Sequence, residues 1–115
     1  MFEHPLEERC HQFGKRIRGF CRKVKKDLVN FEDIKQLVRA SGSVGANYIE
    51  ASDDLGKLDE RMKIKISRRE AKESIHWLKL VLTYDHEDLE AKRLQLLDEG
   101  VQITRILSTI LNRLH

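Results

Sequence analysis

Apolar residues return every three or four positions along most of this 115-residue chain, and the breaks between these runs are short. In the first run Leu6, Cys10, Phe13, Ile17, Phe20 and Val24 follow one another at intervals of four, three, four, three and four. That is the seam of a helix packed on its neighbours. It is expected from about Leu6 to Lys26, with Pro5 at the first helical position, where a missing N–H is harmless. A second helix begins at Asn30, whose side chain can cap the first turn ahead of Glu32 and Asp33, and it stops near Gly56. Ile34, Leu37, Ser41, Val44, Tyr48, Ser52 and Leu55 form its inner side. A third starts after Asp59 and runs to about Tyr84, with Ile64, Ala71, Ile75, Leu78 and Leu82 on one side. The fourth follows the connection "YDHED", with Glu87 and Asp88 in its first turn and Arg113 in its last. Connections this short make consecutive helices antiparallel, so the pattern predicts an all-α, up-down-up-down four-helix bundle forming a single domain over 1–115.

Two helices carry more apolar surface than one core requires. Met62, Ile66, Leu80 and Tyr84 lie off the main stripe of the third, and Leu94, Leu97 and Val101 lie beside Leu89, Leu96, Ile103, Leu107, Ile110 and Leu114 on the fourth. The expectation is an oligomer that covers them, the alternative being a wide core face within one chain.

The second helix contains the stretch "RASGSVGANYIEA", Arg39 to Ala51. Each of its glycines, Gly42 and Gly45, weakens a helix by roughly 1 kcal/mol relative to alanine. Arg39, Ser43, Asn47 and Glu50 share the side away from the inner stripe, flanked by Ala40, Ala46 and Ala51. A row of small and polar residues suits close approach of another helix, with hydrogen bonds across the seam or along the helix; the alternative is that the glycines only kink the helix.

This stretch, with "REAKESIHWLKLV" about twenty residues further on, resembles the small bundle proteins encoded in intervening sequences of bacterial 23S ribosomal RNA genes. Arg39, Ser41, Ser43, Val44, Asn47, Ile49 and Glu50 match the first motif of that family, with Ala40 in place of a serine and Tyr48 in place of a smaller residue. Glu70, Ala71, Glu73, Trp77 and Leu78 match the second. The resemblance implies a ring-like homopentamer with no recognised catalytic residues. It also places the chain beside basic accessory bundles of diversity-generating retroelements, which bind nucleic acid and a reverse transcriptase. Gly45, Trp77 and the polar row are then family-motif and packing residues.

Composition agrees with the helical pattern: 36% of residues are charged, 6% aromatic and one is proline. No apolar run approaches the roughly 18 residues a membrane span needs, and "MFEHPLEERC" lacks the basic-then-apolar order of a signal peptide, so a cytoplasmic protein without membrane partners is expected. Cys10 and Cys21 read as small buried hydrophobes. The histidines His4, His11, His76, His86 and His115 are scattered without a His-x-x-x-His or Cys-x-x-Cys pair, so neither metal nor cofactor is expected. With no nucleophile or phosphate loop in view, an enzyme is not expected either.

Charge placement is the strongest functional signal. Eight basic residues and no acidic one fall between Arg9 and Lys26, although the chain carries only +3. On a helical wheel Lys15, Arg18, Arg22, Lys25 and Lys26 lie opposite the apolar seam, with Arg9, Arg16 and Lys23 at the flank. A one-sign stripe of this kind tracks a phosphate backbone. No aromatic interleaves with it in sequence, which points to backbone rather than base recognition. The competing reading is a scaffold whose basic face meets an acidic protein.

Overall fold

The computed structural model describes residues 5–51 and 57–114. They form four helices and, among the described residues, no strand: α1 (Pro5–Lys23), α2 (Leu28–Ala51), α3 (Lys57–Leu80) and α4 (Glu87–Arg113). Each helix packs on two others, α1 and α3 both lying between α2 and α4. Residue numbers rise along one helix as they fall along its neighbour. Across α2 and α3, Arg39 meets Glu70, Val44 meets Ser67 and Glu50 meets Lys63. Arg61 reaches Leu111 at one end of the α3/α4 pair, and Arg93 reaches Lys79 at the other.

Apolar spacing sets the core. Phe13, Ile17 and Phe20 from α1 meet Leu37 and Val44 from α2, Ile64 and Leu78 from α3, and Leu96, Ile103 and Leu107 from α4, all at most 2% exposed. Cys10 and Cys21 are buried, free thiols within this core, and burial pushes their ionisation up to about 12 and about 11. Tyr48, Trp77 and Leu97 pack partly buried against it. Leu82, expected on the inner stripe of the third helix, instead lies beyond the end of α3 and is exposed, while Val81 takes the buried place. Ser52 and Leu55, expected on the inner face of the second helix, lie outside the described residues.

The helix ends differ from the sequence expectation for identifiable reasons. α1 stops at Lys23 because Lys26 folds back, its Nζ donating to the carbonyls of Cys21 (2.6 Å) and Arg22 (2.8 Å), which the helix itself leaves unpaired. Asp27, not Asn30, caps α2: its Oδ1 accepts from the Asn30 amide at 2.9 Å. Asn30 is fully buried. Its Nδ2 donates to the carbonyls of Lys25 (2.9 Å) and Leu82 (2.8 Å), and its Oδ1 accepts from the Leu82 amide at 2.9 Å. One side chain thus ties the α1–α2 connection to the α3–α4 connection. At α4, His86 Nδ1 accepts from the Leu89 amide, and Arg61 donates to Leu111 and Leu114 at the opposite end.

Glycines mark two close approaches. A Cβ on Gly100, buried in the middle of α4, would lie 3.0 Å from Ile75 of α3 and 3.5 Å from Phe13 of α1. Gly42 lies beneath the Arg18 guanidinium, 3.0 Å from where its own Cβ would be. Gly45 faces Cys10 of α1, but at 3.4 Å a Cβ would make only ordinary contact. The glycine stretch therefore packs against α1, as expected, although Gly45 is not sterically required.

Replacing Asn30 by leucine leaves the Leu82 amide and the Lys25 and Leu82 carbonyls, all in part-buried bonds, without their partner. Each unpaired buried group costs about 1–3 kcal/mol, so Asn30→Leu should lower unfolding free energy by about 3 kcal/mol in urea titration. A loss below about 1 kcal/mol would show that water replaces the amide.

Candidate nucleic-acid interface

The cations of α1 divide according to what neighbouring helices offer them. Arg9 is spent on α4, donating from Nη2 to Glu99 (2.6 Å) and Gln102 (3.0 Å). Arg18 does not lie opposite the seam. Its Nη1 donates to the Gly14 carbonyl at 3.0 Å and its Nη2 to the Val38 carbonyl at 3.4 Å, so the guanidinium bridges α1 to α2 above Gly42. A single-helix wheel misplaced it because the glycines let α2 approach that flank. Lys25 and Lys26 lie beyond the end of α1, so the wheel does not apply to them. Lys26 caps the helix, and Lys25 holds its Nζ 5.1 Å from the centroid of the Tyr84 ring.

Lys15, Arg16, Arg22 and Lys23 remain on α1, and none of their side chains makes a hydrogen bond or ion pair among the described residues. Arg16 and Lys23 line a groove of about 720 Å³ between α1 and the first turns of α4. Phe20 and Gly19 are on its α1 side, and a Cβ on Gly19 would meet nothing within 4 Å. The α4 wall supplies Lys92, Gln95 and His86, with Asp88 as its acid. Lys92 also has no anionic partner among the described residues. Sequence reasoning missed this wall. A wheel of α1 cannot show which α4 residues stand opposite; the offset of the two connections fixes that.

Among the described residues no three histidine, cysteine, aspartate or glutamate side chains converge as metal ligands do. Nor is any helix long and apolar enough to cross a membrane.

The polar row of α2 has a structural partner. Arg39 donates from Nη1 to Glu70 (2.9 Å) and from Nη2 to Glu73 (3.0 Å), both on α3. Glu50 pairs with Lys63, and the buried Ser67 hydroxyl donates to the Val44 carbonyl at 2.7 Å. Ser43 and Asn47 bond along α2, to the carbonyls of Arg39 and Ser43. The row thus borders the α2/α3 seam instead of an outer face, and its bonds run both across and along. Trp77 packs against the core with its ring edge-on to His76, centroids 4.8 Å apart. Arg39, Ser43, Gly45, Asn47, Glu50 and Trp77 are therefore engaged within the bundle. None reaches the α1/α4 groove.

The family model described as "23S rRNA-intervening sequence protein" matches residues 5–109 of this chain. A crystal structure of a protein of unknown function from the S23 ribosomal protein family of Bacteroides thetaiotaomicron superposes with a TM-score of 0.78. It is 24% identical, over 92% of this chain and 97% of the other. No curated protein gave a significant match.

Glu70 is buried and Arg39 is its cation, so Arg39→Ala leaves a buried carboxylate unpaired. A loss of about 1–3 kcal/mol in chemical denaturation is expected. Adding Glu70→Gln should recover part of it by removing the stranded charge. Two independent, additive losses would contradict the pairing.

Proposed function

The chain belongs to the 23S rRNA-intervening sequence protein family, and from that membership and the unpaired cations of α1 we propose a non-enzymatic, oligomeric, up-down-up-down bundle that binds the phosphate backbone of RNA or DNA. The observation that carries this reading is the division of cations. Arg9, Arg18, Arg39, Lys63 and Arg93 are engaged by neighbouring groups of the bundle, whereas the side chains of Lys15, Arg16, Arg22, Lys23 and Lys92 have no hydrogen-bond or ion-pair partner among the described residues. A solubilising face normally mixes both signs. Here α1 has no acid after Glu8. Cations of the α1/α4 groove would release the counterions condensed on a bound phosphate backbone, the entropic source of its affinity. The 23S rRNA in the family's description makes RNA the first ligand to try, and the cytoplasm is the compartment we propose.

Assembly is supported by side chains that the bundle leaves uncovered. Met62 is 55% exposed on α3 and Leu94 63% on α4, with Leu58 and Leu80 also exposed. Ile66, Leu97 and Val101, grouped with them in sequence, are partly buried, so the surplus face is narrower than the pattern implied. Five subunits follow from the family resemblance, and a reverse transcriptase is the protein partner to test alongside RNA. Light scattering at micromolar concentration should give a mass five times 13.5 kDa. A monomer would end the assembly reading, and a dimer would end only the pentamer.

Binding is tested by reversing Lys15, Arg16, Arg22, Lys23 and Lys92 to glutamate while keeping Arg18. Affinity for a mixed-sequence RNA at low salt should be lost with the helical circular dichroism unchanged. For the wild type, each neutralised phosphate should add roughly 0.7 to 0.9 to the slope of log affinity against log salt. Binding that survives the reversal would move the site elsewhere. A wild type that binds no nucleic acid would favour the protein-scaffold alternative.

A further inference from the structure

The fold places two aromatic rings where the sequence pattern showed none beside the basic stripe. Tyr84, in the α3–α4 connection, is 49% exposed, and Phe31, in the first turn of α2, is 61% exposed. Both belong to the bundle end closed by Asn30. The Tyr84 hydroxyl donates to Asp27 Oδ2, and Lys25 lies against its ring. Phe31 follows Asn30 directly, and its amide donates to the Asp27 carbonyl at 2.8 Å.

Tyr84 is also an expensive residue at its position. It and Asp85 adopt φ of 55° and 61°, the left-handed region that glycine enters freely and aspartate tolerates but a bulky side chain does not. Its hydroxyl bond and its contact with Lys25 are both at the surface. They orient the ring more than they stabilise the fold. The hydroxyl bond holds the Asp27 carboxylate below, and the Tyr84 phenol above, the ordinary ranges.

The chain at Tyr84 leads directly into the basic groove. His86, which lines the groove with Arg16, Lys23 and Lys92, is two residues after Tyr84, a separation of at most about 7 Å along the chain. The connection from α1 adds Lys25 beside the ring. Asp85, Glu87 and Asp88 bring acid to the α4 side, so the α1 side is the wall whose charges are all positive. A cationic track ending at exposed aromatic faces is the arrangement that holds a single strand, with phosphates in the groove and unpaired bases stacked on the rings. A duplex keeps its bases stacked on one another and can use only the track.

We infer that this bundle end is a base-stacking platform, and that the ligand of the groove is single-stranded nucleic acid in preference to duplex. The inference rests on the backbone-binding reading above and goes beyond it. It differs from the sequence expectation of backbone recognition alone.

The test uses the full-length protein and fluorescence anisotropy with a mixed-sequence RNA 12-mer and the same strand annealed to its complement. Wild type should bind the single strand more tightly than the duplex at equal salt. Tyr84→Leu with Phe31→Leu should weaken single-strand binding by about 5- to 150-fold per stacked base, leaving duplex affinity unchanged. Tyr84→Phe, which keeps the ring and loses only the hydroxyl, should retain the preference. Tyr84→Trp should show indole quenching on adding the single strand and none with duplex. Equal affinity for both forms, unchanged in the leucine variant, would overturn the platform and leave backbone binding standing. Loss of subunit mass in the leucine variant would overturn it too, by assigning the rings to a protein contact. Absence of any binding by the wild type would remove both readings together.

Discussion

A buried amide at the closed end of the bundle determines how the four helices are placed. Asn30 satisfies the Lys25 carbonyl and both backbone groups of Leu82, so the link between α1 and α2 and the link between α3 and α4 share one set of hydrogen bonds. An apolar residue at this position would leave those groups orphaned, and a charged one would have no counterion there. Because the two links are held in fixed relation, the last turns of α1 stand opposite the first turns of α4. That juxtaposition makes the groove with Arg16 and Lys23 on one wall and Lys92 on the other. The same link brings Tyr84 to Asp27 and Lys25. Arg93 reinforces it from α4 by donating to the Val81 carbonyl and pairing with Glu90, whose carboxylate also accepts from Thr83 and is held below its usual range chiefly by that bond.

α2 organises the rest through two unlike contacts. Toward α1 it offers Ser41, Gly42 and Gly45, small enough for Arg18 to lie across the crossing and for Cys10 to pack directly. Toward α3 it offers Arg39 and Glu50 at the edge and the Val44 carbonyl within, met by Glu70, Glu73, Lys63 and Ser67. The two motif runs, one on each of these helices, are therefore the two sides of one interface. The helix propensity lost at the glycines is offset by packing that a longer side chain would prevent at Gly42.

Helix number, helix order and most of the core were legible because a period of three to four needs no knowledge of neighbours. Phe13, Ile17, Leu37, Leu78 and Ile103 were expected inside and are there. What the pattern hid depends on tertiary partners. Asn30 reads as a cap because asparagine often is one, and only the proximity of Leu82 turns it inward. Lys25 and Lys26 read as helix because their phase fits, yet Lys26 itself ends the helix by satisfying its last carbonyls. Gly100 gives no signal in sequence, since its role comes from Phe13 and Ile75, distant in the chain. The α4 wall of the groove was illegible for the same reason.

Charge shows this limit most clearly. A wheel ranks cations by angle, but their availability depends on what other helices place nearby. Arg18 had the angle of a free residue and lies over backbone carbonyls, whereas Arg16 had the angle of a flanking residue and lines the open groove. A guanidinium already satisfying two carbonyls must give them up to engage a phosphate, and the exchange gains little. A cation without a partner gives up only water and loosely held ions, so nearly all of its Coulombic attraction is available to a ligand. Function in a bundle of this kind is therefore to be sought among the cations left over once the fold's own needs are met, and three of those cations, Arg16, Lys23 and Lys92, share the α1/α4 groove.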